Sequence, residues 1–247
     1  HEMPFSDTSA IPSYHVAKLA KEHVDTVFTG DFPDQLLGGS GHHRWALNKD
    51  KTDPAWKRML RNNHLSLHKI AGSLSFSAGT PSFKDKIVRA LYRETFPLEE
   101  QRVMLSMPIP PYLKGALYSP QLMNVNKQAN PLENATNLYK EVQNESLLDK
   151  ILYFDINFYA IDNLNIKVDR MCRANRLKAI SPFWDRELVE FGGKIPPRMK
   201  IRGTNQKYVL RESMRSLLPE QTLNKKKQGF AMPIGQWLVH KMKEFVG

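Results

Sequence analysis

A helix-rich α/β fold, with a parallel sheet flanked by helices, is what this 247-residue sequence predicts, on three observations. A helical pattern feeds a short apolar β-prone run that ends in a Gly/Asp loop, which is half of a βαβ unit. Helical stretches broken by prolines then fill the middle of the chain. Finally, Leu147 to Arg176 carries a long helical pattern without an internal Gly or Pro. A mass of 28.5 kDa fits one large domain or two small ones, with ample length for a buried core.

In chain order, Pro4 to Ser9 reads as a turn, with Thr8 or Ser9 placed to cap a helix from Ala10. Ile11, Tyr14, Val16, Ala17, Leu19 and Ala20 give that helix one apolar face. His23 to Phe28 is the β-prone run, closed by Thr29-Gly30-Asp31. Ligands of open parallel sheets sit at the carboxyl ends of strands, which is where Asp31 to Gly39 falls. Trp56 to Ser146 reads as short helices, and Gly72 to Pro81 as a loop. Lys178 to Phe183 is extended before a helix from Asp185. Arg202-Gly203-Thr204 turns into a helix over Asn205 to Leu217, and a last helix starts near Ile234 or Gln236.

Hydrophobic residues at 41% and charged residues at 25% exclude a collagen, a coiled coil or a mainly disordered chain. No apolar run approaches the roughly 18 residues of a membrane span. No signal peptide is visible, and the one cysteine, Cys172, leaves no disulfide framework or Cys-based zinc site. A reducing cytoplasm is the compartment expected. A net charge of +11 favours anionic partners, but it is dispersed, so a basic pocket or surface bias fits better than a nucleic-acid arm.

Three segments carry candidate chemistry. In Thr29 to Gly39, Asp31 and Asp34 stand three residues apart at a strand end, where two carboxylates can converge on one divalent ion. An Asp-rich turn with an N-cap fits the same spacing and stays open. Lys167 and Asp169-Arg170 lie on a largely apolar helix, either as buried pairs facing a pocket or as a solvent edge with i,i+4 pairing. Lys225-Lys226-Lys227 before Gly229-Phe230 is either a solvated loop or a cation held over phosphates. The His64/His68 pair lacks the zincin pattern and is assigned to structure; Cys172 is assigned to packing.

Taken together, these segments resemble the C-terminal synthetase domain of glutamine-hydrolysing asparagine synthetases. Glu2 to Pro12 is similar to that family's DEPFADSSAIP segment, and Thr29 to Gly39 to its SGDGGDELFGG loop. Val168 to Met171 and Ser181 to Asp185 resemble its VDRM and SPFLD blocks. Tyr208 to Glu212, Leu217 to Pro219 and Lys225 to Trp237 follow its KYLLRE, LLP and RKKQGFGVPIGxW end.

The resemblance implies a single partial asparagine synthase domain over residues 1–247, of adenine-nucleotide α-hydrolase-like fold. It implies an ATP-dependent carbon–nitrogen ligase. MgATP activates the aspartate side-chain carboxylate as β-aspartyl-AMP, and ammonia from a glutaminase domain then gives asparagine, AMP and pyrophosphate. ATP and Mg²⁺ are the implied cofactors, and neither nucleic acid nor a membrane is an implied partner. By position, Asp34 is the Mg²⁺ ligand, Asp31 the acidic residue near acyl-adenylate and amine, and Lys227 the pyrophosphate-facing lysine; Gly30, Asp31 and Lys227 bind nucleotide.

Departures temper that expectation. The family's SGGxDS phosphate loop lies upstream of the first block, so the chain reads as a fragment truncated at its N-terminus. As such it is not expected to turn over ATP alone, and an exposed sheet edge invites self-association, with a homodimer as the candidate assembly. Phe32-Pro33 replaces Gly-Gly, bringing bulk to where a phosphate would approach and removing a backbone N–H. Gln35 replaces Glu, and Lys178 reverses a charge near the site. The alternative is a diverged or inactive member with another acyl substrate or a binding role.

Overall fold

The computed structural model describes residues 5–49, 54–62, 90–107, 117–126, 133–225, 229–230, 232–242 and 244. They gather into two compact units, one of residues 1–39 with 158–247 and one of residues 40–157.

The first unit is organised by a parallel strand pair. β1 (Thr26–Phe28) lies beside β2 (Lys178–Ile180), with Val27 opposite Ala179 and Phe28 opposite Ile180. Because side chains alternate along a strand, Val27 and Ala179 face one side together. There they meet α1 (Ala10–Lys21), and with Ala17, Ala20, Val168, Cys172 and Leu177 they form a small core. Cys172 is a free, buried packing residue, and burial raises its thiol pKa. The other face is open, with Phe28 77% exposed. Lys178 is exposed at the start of β2, opposite Thr26.

The long helical pattern is three elements rather than one or two α-helices: α8 (Leu147–Phe154), a π-helix (Asp155–Asn165) and α9 (Ile166–Ala174). Asn157 Nδ2 donates to Tyr153 O at the transition. Ser146 caps α8 by accepting the Asp149 amide at 3.2 Å.

β1 runs into α2 (Pro33–Leu37), whose residues Pro33, Gln35, Leu36 and Leu37 are buried. Pro33 occupies the first turn, where a missing N–H costs nothing, so its substitution for glycine is locally benign. α10 (Arg186–Lys194) is capped by Asp185, which accepts the Leu188 amide, and it crosses α2 at Gly192. A Cβ on Gly192 would stand 2.5 Å from Leu36 Cδ1, so only glycine permits the approach.

After the short helix α11 (Pro197–Lys200), the predicted helix from Asn205 is overturned. Asn205–Gln206 is β4, antiparallel to β3 (Ile201–Arg202), because Gly203 at φ 61° turns the chain tightly enough to close a hairpin. The helix that follows, α12 (Tyr208–Ser213), starts only after Lys207. Further on, α13 (Glu220–Leu223) and α14 (Ile234–Gln236) are short, the latter continued by a π-helical turn over Trp237–Lys241.

In the second unit, α3 (Gly41–Lys49) packs with α8, and α5 (Leu98–Ser106) and α7 (Glu133–Glu141) complete the core. Leu148, Ile151, Phe154, Val103 and Ala135 fill it, and Tyr139 stacks on Phe154 with centroids 5.5 Å apart. α4 (Ala55–Asn62) brings Lys57 and Arg61 to Glu94, which is buried among these two cations and Lys49. α6 (Pro120–Asn126) is a further helix here. The His64/His68 pair and the loop Gly72 to Pro81 lie outside the described residues.

Candidate active site

The carboxyl ends of β1 and β2 open onto a cavity of about 750 Å³, as the topology of a parallel sheet leads one to expect. The β-ladder extends one bond past the strands through Thr29 N–H to Ile180 O at 2.8 Å. Ser181 Oγ then donates to the Asp31 carbonyl at 3.1 Å, fixing the loop to the end of β2. Gly30, Asp31, Phe32, Pro33 and Asp34 form one wall; Gln206, Lys207, Leu210, Met214 and Lys225 contribute to the other.

Asp31 is half-buried and lines both this cavity and a smaller one of about 150 Å³, shared with Thr29, Asn165, Asp169, Ser181 and Trp184. Among the described residues, nothing hydrogen-bonds or ion-pairs with its carboxylate. Asp34 differs, because Lys207 Nζ stands 2.9 Å from its Oδ1. The Asp34 side chain also folds back over Gly39, where a Cβ would lie 2.0 Å from Oδ1. Lys207 holds its backbone at φ 53°, a left-handed conformation that costs a lysine on the order of 1–3 kcal/mol. Such strain clusters at sites where a side chain must be aimed. Sequence reasoning missed Lys207, although it stands at the first K of the KYLLRE block that the sequence resembles.

Phe32 also lines the cavity and has a left-handed backbone, φ 85°. It is 2% exposed and stacks on Trp184, with centroids 4.1 Å apart and planes 18° from parallel. Gln35 is buried, and among the described residues its Oε1 has no hydrogen-bond partner. Arg211 lines the cavity, but Nε donates to Gln206 O and Nη1 to Leu223 O, so it braces the wall. Gly30 is exposed at the rim; Lys227 and Lys226 lie outside the described residues, and Lys225 reaches the cavity.

The two readings of the Lys167–Arg170 segment divide between its residues. Lys167 is buried, 3.0 Å from Ser9 Oγ and 3.4 Å from Asp7 Oδ2. Burial raises the Asp7 pKa, but hydrogen bonds from Ser9 and the charge of Lys167 outweigh it and hold the carboxyl below its usual value. Asp169 instead forms an exposed i,i+4 pair with Arg173 at 2.6 Å.

Within the second unit, His42, His43 and Asp155 bring three potential metal-ligand atoms within 4.8 Å of one another. The hydrogen bonds argue for an ion knot. Ser40 N–H donates to His43 Nδ1 at 3.1 Å, so the proton sits on Nε2, which donates to Asp155 Oδ2 at 2.7 Å. A protonated nitrogen holds no metal. Arg102, 2.5 Å from Asp155 Oδ1, supplies the compensating charge. Burial disfavours charging His43 and lowers its pKa to about 4, against the pull of Asp155. For Asp155, burial works upward, but the two imidazoles and Arg102 prevail and hold it well below the usual carboxylate range.

The sequence pattern of the asparagine synthase family matches the chain over residues 1–247. The chain belongs to the asparagine synthase family. Asparagine synthetase (glutamine-hydrolyzing) 1 of Bacillus subtilis (strain 168) is 30% identical over 246 residues, covering 98% of this chain and 36% of that protein. A putative asparagine synthetase (glutamine-hydrolyzing) of Mycobacterium tuberculosis (strain ATCC 25618 / H37Rv) is 27% identical over 240 residues, 95% of this chain and 34% of that protein. Amidase chyE of Penicillium rubens is 25% identical over 203 residues, 78% of this chain and 25% of its own length. The chain thus spans about a third of the length of the asparagine synthetases that it matches. No solved structure matches. Among the described residues, no helix of this family member is long and apolar enough to cross a membrane.

Proposed function

We propose that the protein to which this chain belongs activates the aspartate side-chain carboxylate with MgATP and passes it to ammonia, yielding asparagine, AMP and pyrophosphate. The observation that carries this reading is the meeting of Asp31, Asp34, Lys207 and Lys225 on one cavity at the carboxyl ends of β1 and β2, in a chain of this family. The donor set fits the group it would hold. Mg²⁺ takes one or two carboxylates with phosphate oxygens and water, and Asp34 is the carboxylate we assign to it. Bound there, the ion would neutralise phosphate charge.

The chain's own residues do the rest. Lys207 and Lys225 offer cations to phosphates, which stabilise charge developing on pyrophosphate as it leaves. Lys227 extends that run and is the lysine we assign to pyrophosphate. Gly30 leaves the backbone accessible to nucleotide; among the described residues, a Cβ there would meet nothing within 4 Å. Asp31, open to both cavities, is the carboxylate we assign to accept a proton from the attacking amine beside the acyl-adenylate. An adenine-nucleotide α-hydrolase-like architecture, one asparagine synthase domain over 1–247, a homodimer and a cytoplasmic setting belong to the same proposal.

A second reading draws on the Asp34–Lys207 ion pair and the buried Gln35. Asp34 must leave Lys207 before it can hold a metal, and Gln35 brings no charge. A member that serves another acyl substrate, or one that binds without turnover, accommodates both features. Aspartate-dependent ATP–pyrophosphate exchange on the full-length protein with Mg²⁺ separates the readings. Exchange supports aspartate adenylation, whereas a folded protein without exchange moves the assignment to the second reading.

A further inference from the structure

Loop residues Asp31 and Phe32 are tied to the segment after β2 at two points. Ser181 Oγ donates to the Asp31 carbonyl at 3.1 Å, and the Phe32 ring lies on the Trp184 indole. Trp184 ends the 3₁₀ turn Pro182–Trp184 that Ser181 opens, so both ties come from one short rigid element. Phe32 lines the larger cavity and Trp184 the smaller, while Asp31, immediately before Phe32, lines both. The stacked pair therefore joins residues of the two cavities beside Asp31, which lines both.

We infer that the Phe32–Trp184 stack is a positioning device that holds the strained loop so that the Asp31 carboxylate faces both cavities. Phe32 is at φ 85°, a conformation that glycine takes freely and that a residue with a Cβ keeps only when its surroundings impose it. Trp184 imposes it through a face-on contact of the Phe32 ring. Released from that contact, Phe32 relaxes towards negative φ, the peptide between residues 31 and 32 rotates, and the carboxylate swings with it. A misplacement of about 1 Å at a reacting group can cost a rate factor near 100. In the loop and block patterns that this chain resembles, glycine stands at position 32 and leucine at 184. The two rings are thus departures that answer each other, and Trp184 is a positioning residue acting through Asp31.

The inference rests on the proposed activity for its kinetic arm, and its test separates the two. Full-length wild type, Trp184→Leu, Trp184→Phe, Phe32→Gly and the double variant Phe32→Gly/Trp184→Leu are compared. The readouts are aspartate-dependent ATP–pyrophosphate exchange and thermal melting. Trp184→Leu is expected to lower exchange kcat about tenfold or more while the KM for ATP stays within about twofold, and Trp184→Phe to restore most of the loss. In the Phe32→Gly background the same leucine substitution is expected to change kcat less than about twofold, because glycine needs no buttress.

Equal losses in both backgrounds overturn the inference, as does a fall in melting temperature with kcat unchanged or a phenylalanine variant as poor as the leucine. If wild type shows no exchange, the proposed aspartate activity fails. The buttress is then read from melting alone: Trp184→Leu destabilises the wild-type background and not the glycine background, and equal shifts overturn it.

Discussion

Asp31 and Asp155 are both carboxylates set at the start of a turn or helix, and the molecule treats them in opposite ways. Asp155 is fully buried and surrounded, with Arg102 on one oxygen and both imidazoles of His42 and His43 on the other. Asp31 is half-buried, faces two cavities, and keeps its carboxylate clear of hydrogen bonds and ion pairs among the described residues. A carboxylate removed from water must be compensated by its own protein, or its desolvation is lost from stability. One left facing a cavity keeps its capacity for a ligand. The difference teaches where to look for function: at the acid whose partners are missing.

Removing the compensated acid should have the largest effect. Asp155→Ala leaves Arg102 buried without its counter-charge, and breaking such a pair costs about 3–5 kcal/mol. Denaturant unfolding of the full-length protein should show that loss; a change below about 1 kcal/mol would mean that the knot is not a structural ion pair.

Next in size is a pH effect of the same cluster. His43 is neutral in the fold with a pKa of about 4, below its unfolded value, so its contribution is complete above an unfolded pKa of about 6.5. As pH falls from there towards 4, the unfolded chain binds a proton that the folded one refuses, and stability declines by on the order of 3 kcal/mol. Melting at pH 7, 6 and 5 should show the fall in wild type and a shallower one in His43→Gln; parallel curves would refute the assignment.

Asp31→Asn should produce the opposite pattern. Exchange or amide formation is expected to fall on the order of 100-fold, as for loss of an acid–base group, with melting almost unmoved because no partner is lost. A large drop in melting temperature with activity retained would reverse the contrast. The smallest effect is packing beside the site. Gly192→Ala forces Leu36 aside and should cost about 1–3 kcal/mol, with reduced exchange only through loss of folded protein.

Much of the first unit was legible in the chain. The Ala10 helix, the short strand before Thr29 and the helix from Asp185 stand where the sequence places them. Ser9 makes no side-chain cap, however, and Ile11, Tyr14, Val16 and Leu19 of the expected apolar face are exposed, leaving Ala17 as that helix's buried residue. The hairpin at Gly203 was not legible, because a β-bridge of two residues on each strand carries no periodic signal. The site was half legible. Asp31 and Asp34 stand in a loop whose residue types announce a turn at a strand end. Lys207 is one lysine among many, and only the fold brings it to Asp34. For Phe32 the sequence shows only bulk in the loop, and the fold shows its ring stacked on Trp184.

Composition, block order and local pattern sufficed for family, for helix-rich α/β character and for the loop that bears the acidic pair, because those depend on residues close together in the chain. Tertiary structure alone decided which acid is compensated, which lysine is paired and where the Phe32 ring goes. Each of those depends on contacts across long stretches of chain, between Asp155 and His43 or Phe32 and Trp184, and a contact of that kind has no trace in local sequence.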